Sequence, residues 1–136
     1  KIIPMMSERS VAKEAKLPRW QKIAKEAAEQ SKRAIIPQIS PLSKFEDVLK
    51  LKDQFDLALI PWESEKETTL RFILTTQPPN NLTTILVLIG PEGGFSEKEI
   101  ASAKNAGLIS VSLGKRILRT ETAGLAVLSS IMYELG

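Results

Sequence analysis

Two glycine-bearing loops hold most of the side chains that could do chemistry. The first is Gly90-Pro91-Glu92-Gly93-Gly94-Phe95-Ser96. Gly93 and Gly94 permit backbone angles that side chains forbid and let a ligand lie against the main chain, so bare amides and carbonyls become recognition groups. Taken alone, this run is equally well a tight strand-to-helix turn. The second loop, Leu113 to Ala123, sets Lys115, Arg116 and Arg119 beside Gly114 and then runs Arg-Thr-Glu-Thr into a helix. There Thr120 or Thr122 is expected as an N-cap, with Glu121 as a first-turn carboxylate that complements the helix dipole.

The chain contains no histidine and no cysteine. Thiolate metal sites, disulfides and imidazole bases are therefore excluded, and any reaction must do without both residues. The dinucleotide fingerprint with glycines at its first, third and sixth positions is absent. The phosphate-loop pattern is absent too, because Gly114-Lys115 is followed by arginine and Ile109 stands where its first glycine belongs.

Both loops need a scaffold that points them the same way. Phe55 to Ile60, Thr83 to Ile89 and Ile109 to Leu113 are short apolar runs rich in branched residues and predict strands, with Pro61 closing the first. Leu70 to Leu74 is expected as a further strand, followed by a turn at Pro78-Pro79-Asn80-Asn81. A helical pattern from Pro18 to about Arg33 puts Trp20, Ile23, Ala24, Ala27 and Ala28 on one face, predicting an amphipathic helix packed on a sheet. Capping boxes at Ser43-Lys44-Phe45-Glu46 and Ser96-Glu97-Lys98-Glu99 open two more helices, the first with Phe45, Val48 and Leu49 inward, the second ending near Gly107. Ala123, Val127, Leu128, Ile131 and Leu135 mark the inner face of a last helix. This alternation predicts an α/β fold, a mostly parallel sheet with helices on both faces. In such sheets ligands bind beyond the carboxyl ends of the strands, so the two loops should share one crevice.

At 136 residues the chain is expected to form one domain over 1–136. Charge is uneven: residues 1–50 carry 11 basic and 6 acidic side chains, whereas residues 51–100 carry 4 and 8. The basic third, with Lys13, Lys16, Arg19, Lys22, Lys25, Lys32 and Arg33, suits a polyanion, although on charge alone a solvated helix face is the simpler explanation. The acidic stretch Glu63 to Glu67 is expected as a surface loop. The longest apolar run, Ile85 to Ile89, is too short to span a bilayer, and residues 1–6 lack signal-peptide features, so a cytoplasmic protein is expected.

The pairing of IGPEGGFS at 89–96 with LGKRILRTETA at 113–123 resembles the two C-terminal motifs of the RsmE family of ribosomal RNA methyltransferases, members of the SPOUT superfamily. IIPMMSERS at 2–10 and WQKIAKEAAEQSKR at 20–33 extend the resemblance over essentially the whole chain.

The resemblance implies a C-terminal trefoil knot, S-adenosylmethionine as cofactor without a metal, and methylation of N3 of a uridine in small-subunit (16S) ribosomal RNA. It places the cofactor against Gly90, Gly94, Leu113, Gly114 and Leu118, with Leu74 and Thr75 at the end of an earlier strand. Arg119 would steady the developing uridine anion while Glu121 or Glu92 accepts the N3 proton. Arg9, Glu29, Gln30 and Arg33 match positions expected near the RNA.

Family members are implied to be homodimers, and Ile131, Met132 and Tyr133 of the last helix offer an apolar face for a twin. They also carry an upstream RNA-binding domain, then a first strand and helix of the knotted domain, before the segment equivalent to Lys1. The competing reading is a non-catalytic module that binds RNA or a nucleotide, without affinity for a methyl donor.

Overall fold

The computed structural model describes residues 1–10, 16–76 and 82–136. Lys13 and the turn expected at 78–81 lie outside the described residues. The chain divides into two compact units, Lys1–Met6 with Val11–Val48, and Ser7–Ser10 with Leu49–Gly136.

In the first unit, strand β1 (Met5–Met6) pairs in parallel with β2 (Ser43–Lys44), and Ile2 bridges Ile39 in the same sense. Helix α1 (Leu17–Gln30) begins with proline in its first turn, where the missing N–H has no helical partner to lose. Its predicted apolar stripe forms but is only partly covered. Ala28 is buried, whereas Ile23 is 51 % exposed, and the stripe lines an open, mainly apolar groove with Ile2, Pro4 and Ile39. The face expected to pack on a sheet is thus left largely open.

Helix α2 (Phe45–Leu49) keeps Phe45 and Val48 buried, as their spacing predicts. Its expected capping box does not form. Ser43 belongs to β2, and its hydroxyl donates to the carbonyl of Pro41.

The second unit is built on a parallel sheet of order β4-β3-β5, with β3 (Leu57–Pro61) between β4 (Ile85–Val87) and β5 (Ile109–Val111). Leu57, Ala58, Leu59 and Ile60 are all buried, so both faces of the central strand are covered. That is why β3 reads as an unbroken apolar run rather than an alternation. Leu59 and Ile60 are fully enclosed, each contributing about 1.5–3 kcal/mol. One core cluster joins Leu57, Leu59 and Val111 of the sheet to Leu70, Ile73 and Leu74 of helix α3 (Leu70–Thr76) and Val127 of helix α5 (Thr120–Leu135). Helix α4 (Glu97–Asn105) packs on β5 and buries Ile100 and Ala103.

The strand expected at Leu70 to Leu74 is therefore helix. Thr69 Oγ1 accepts a 3.1 Å hydrogen bond from the Phe72 amide, which caps the first turn. Leu70, Ile73 and Leu74 then fall at the helical spacing i, i+3, i+4 and turn inward together. In α5 the N-cap position is Arg119, with no side-chain capping bond, rather than Thr120 or Thr122. Val127 is buried, and Ile131 and Leu135 pack on the core, but Leu128, expected inward, is 58 % exposed. Among the described residues no helix is long and apolar enough to cross a membrane.

Candidate functional site

Because β3, β4 and β5 run in parallel, the segments leaving their carboxyl ends emerge at one edge of the sheet. A cavity of about 470 Å³ opens there. The chain leaves β3 through Pro61-Trp62-Glu63, β4 through the glycine loop and β5 through the basic loop, and all three segments line the cavity. Both loops singled out in the sequence thus reach a single site.

The glycine loop is shaped by a real capping box. Ser96 Oγ accepts from the Glu99 amide at 3.2 Å, and the Glu99 carboxylate accepts from the Ser96 amide at 2.9 Å. This fixes the start of α4, and the Gly94 amide closes the turn ahead of it on the Pro91 carbonyl at 2.8 Å. Gly94 has φ +67 and Gly114 has φ +117, the region that side chains rarely enter. No atom lies within 4 Å of where a Gly114 Cβ would stand, so bare backbone borders open space. Gly124 brings the first turns of α5 close to the end of β4, its ideal Cβ lying 3.8 Å from Ile89 Cγ1.

Gly90, Gly94, Leu113, Gly114 and Leu118 line the cavity, together with Glu92, Arg119 and Glu121. The other two expected cofactor residues do not. Leu74 is 3 % exposed in the α3 core, and Thr75 donates its hydroxyl to the Arg71 carbonyl one turn back in the same helix. Arg9 is not among the lining residues and donates instead to the Gly93 carbonyl at 2.8 Å. Glu29, Gln30 and Arg33 belong to the first unit, where Glu29 pairs with Lys25 across one helical turn at 3.9 Å.

The sequence reading missed Trp62, which it did not single out, and Glu63, which it assigned to an acidic surface loop. Their place directly after the central strand was the available signal, since strand carboxyl ends face the crevice. Within the same loop Glu65 is not a free surface group. Its side chain is 11 % exposed, accepts from the Ser110 hydroxyl and the Thr68 amide, and lies 3.8 Å from Lys104 Nζ. Lys104 also sits 5.6 Å from the Trp62 ring centroid, a cation–π contact on the cavity wall. These hydrogen bonds, led by that from Ser110, hold the Glu65 carboxyl below its usual range.

The wall combines apolar Ile89, Phe95, Leu113 and Leu118 with three cations, Lys115, Arg116 and Arg119, and three carboxylates, Glu63, Glu92 and Glu121. A flat, partly apolar molecule carrying charge of both signs fits such a lining. Among the described residues no group of three or more acidic side chains is placed to hold a metal ion.

An RNA methyltransferase domain profile matches residues 1–132. The chain belongs to that family. It is 36 % identical over 142 residues to the ribosomal RNA small subunit methyltransferase E of Bacillus subtilis, covering 97 % of this chain and 55 % of the relative. The fold superposes on a ribosomal RNA small subunit methyltransferase E of Neisseria gonorrhoeae bound to S-adenosylmethionine with a TM-score of 0.82 and 36 % identity, over 97 % of this chain and 54 % of the other. A Legionella pneumophila protein in complex with the same cofactor gives 0.85 and 31 %, again over 97 % and 54 %. The chain spans about half the length of the curated relatives it matches. Family membership holds for a fold whose glycine and basic loops meet at one cavity.

Proposed function

We propose that the chain is the catalytic part of an S-adenosylmethionine-dependent methyltransferase acting on N3 of a uridine in small-subunit ribosomal RNA. The supporting observation is the convergence of Gly90, Gly94, Leu113, Gly114 and Leu118 on one cavity, in a family member related to enzymes solved with that cofactor.

The lining fits the cofactor. Ile89, Phe95 and Leu118 suit the adenine ring, and the exposed backbone at Gly94 and Gly114 offers hydrogen-bonding groups without side chains in the way. Bound there, S-adenosylmethionine supplies an electrophilic methyl group on a sulfonium, and the transfer needs alignment and a dry slot rather than a metal. The chain's own task is to bring N3 in line and to remove its proton. Arg119, at the head of α5 and on the cavity wall, stabilises the uridine anion that forms as the proton leaves. Glu121, in the first turn of α5, or Glu92 on the opposite loop takes that proton directly or through water. The basic α1, with Glu29 and Gln30 in its last turn and Arg33 just beyond it, is assigned to RNA positioning, where phosphate contacts supply affinity and orientation.

Two features of the family belong to the same proposal. The basic loop and α5 are the last elements of the chain, and their threading through the preceding loop would form the trefoil knot. Leu125, Leu128, Met132 and Tyr133 are exposed at i, i+3, i+7 and i+8 along α5, an apolar stripe suited to a twin copy in a homodimer. Ile131, by contrast, is turned to the core.

The test is mass spectrometry of ribosomal RNA from cells lacking the gene for the full-length protein. Loss of one N3-methyluridine, restored by the wild-type gene and not by Arg119→Ala, supports the proposal. An unchanged modification pattern contradicts it.

A further inference from the structure

Segment Ser7–Ser10 makes a set of bonds that the proposed chemistry does not use. Arg9 Nη1 donates to the Gly93 carbonyl at 2.8 Å, across 84 positions of sequence. The aliphatic stem of Arg9 lies flat on the same residue: an ideal Cβ on Gly93 would stand 3.3 Å from Arg9 Cβ and 3.4 Å from its Cδ. A side chain at position 93 would push the stem back by a few tenths of an ångström.

Next to it, Glu8 enters the capping box. The Glu8 amide donates to Glu99 Oε1 at 2.7 Å, and Ser96 Oγ donates to Glu8 Oε2 at 2.6 Å. Ser96 and Glu99 are each 7 % exposed, so one end of each bond is buried while Glu8 itself reaches the surface. The loop is therefore pinned at Gly93 by Arg9 and at Ser96 by Glu8. Between the pins lie Gly94 and Phe95, both of which line the cavity, whereas Arg9 and Gly93 do not.

From this we infer that Arg9 is a positioning residue for the methyl donor rather than a contact to RNA. It acts through Gly93, holding Gly94 in its left-handed conformation and Phe95 against Gly90, where an ideal Cβ would be 3.2 Å from the Phe95 ring. With the pin removed, the backbone wall samples several shapes, and the donor must order it on binding. The inference rests on the proposed donor site, and its experiment separates the two.

Arg9→Ala, Arg9→Lys and Gly93→Ala are compared with the wild-type full chain. Arg9 is exposed, so its removal should leave the unfolding temperature unchanged. Arg9→Ala is expected to weaken S-adenosylmethionine roughly tenfold, the effect of one charge-assisted hydrogen bond. It should also speed hydrogen exchange at the Gly94 and Phe95 amides in the ligand-free protein, and leave RNA affinity at the wild-type value. Lysine should restore part of the loss. Gly93→Ala should reproduce it by pushing the arginine stem away, and the double variant should lose little more than either single one.

Weakened RNA binding with normal donor affinity would make Arg9 a substrate contact and overturn the inference. So would unchanged exchange together with unchanged donor affinity. If the wild-type protein binds no donor at all, the proposed function fails, while the exchange measurement still reports on the pin.

Discussion

The Ser110 hydroxyl, in the middle of β5, is bonded to the carboxylate of Glu65, 45 residues earlier on the loop after β3. A backbone contact runs alongside it, since Leu70 donates to the Ser112 carbonyl at 3.0 Å and Ser112 to the Thr68 carbonyl at 2.7 Å. The loop carrying Trp62 and Glu63 is thereby fastened to the strand that feeds the basic loop, and one wall of the cavity is fixed relative to another.

Replacing Glu65 by alanine leaves the Ser110 hydroxyl and the Thr68 amide short of a partner. The expected cost is about 1–3 kcal/mol, read from denaturant unfolding at neutral pH. Its folded pKa lies below the ordinary value of 4.5, so the charged form is the one that favours folding. The stabilisation is complete above that ordinary value and declines as the pH falls below it and through the lowered one. The gap between wild type and Glu65→Gln should therefore narrow on acidification, and a gap that widens would reverse the assignment.

Asp56 makes a similar tie at the other end of the sheet, accepting from the amides and hydroxyls of Thr83 and Thr84 at 2.8–2.9 Å. These bonds lower its pKa from 3.8 to about 2, with the backbone amide of Thr83 the largest cause. Its contribution is thus present above pH 3.8 and disappears as the pH drops through about 2. Asp56→Asn should be less stable than wild type at neutral pH and equal to it at the acid end, measured by thermal unfolding across that window.

Gly114→Ala isolates backbone conformation from steric clash, because nothing lies within 4 Å of the added carbon. Holding alanine at φ +117 costs about 1–3 kcal/mol. The loop is expected to relax away from the cavity, so calorimetry should show weaker donor binding with little change in overall unfolding. Normal affinity would mean that this backbone does not touch the donor.

The exposed α5 stripe gives a separate prediction. Leu128→Glu or Met132→Glu should leave the monomer folded, since both side chains are more than half exposed, and should shift a dimer to monomer in sedimentation experiments. A wild-type chain that is already monomeric removes the stripe from the account of assembly.

Much of the site was legible because its signals are local. The Ser96 to Glu99 box, the branched strands and the glycine spacing each follow from a few adjacent residues, and the parallel order then brings their ends together. What failed depended on distant partners. Leu70 to Leu74 has strand-like composition, but the Thr69 cap and a core waiting at i, i+3 and i+4 made it helix, which removed Leu74 and Thr75 from the cavity. Glu65 reads as surface charge until Ser110 and Lys104 are seen beside it. The bond from Arg9 to the Gly93 carbonyl, 84 positions away, likewise has no local signal in the sequence. Leu128 satisfies the helical period yet faces outward, because the stripe that meets the core runs through Val127, Ile131 and Leu135.

The most direct measurement is a titration of the isotope-labelled chain with S-adenosylmethionine, following backbone amide resonances. The account predicts saturable shifts at Gly90 to Phe95 and, in the same binding event, at Leu113 to Leu118. No saturable shift, or shifts confined to one loop or to residues away from both, would contradict it.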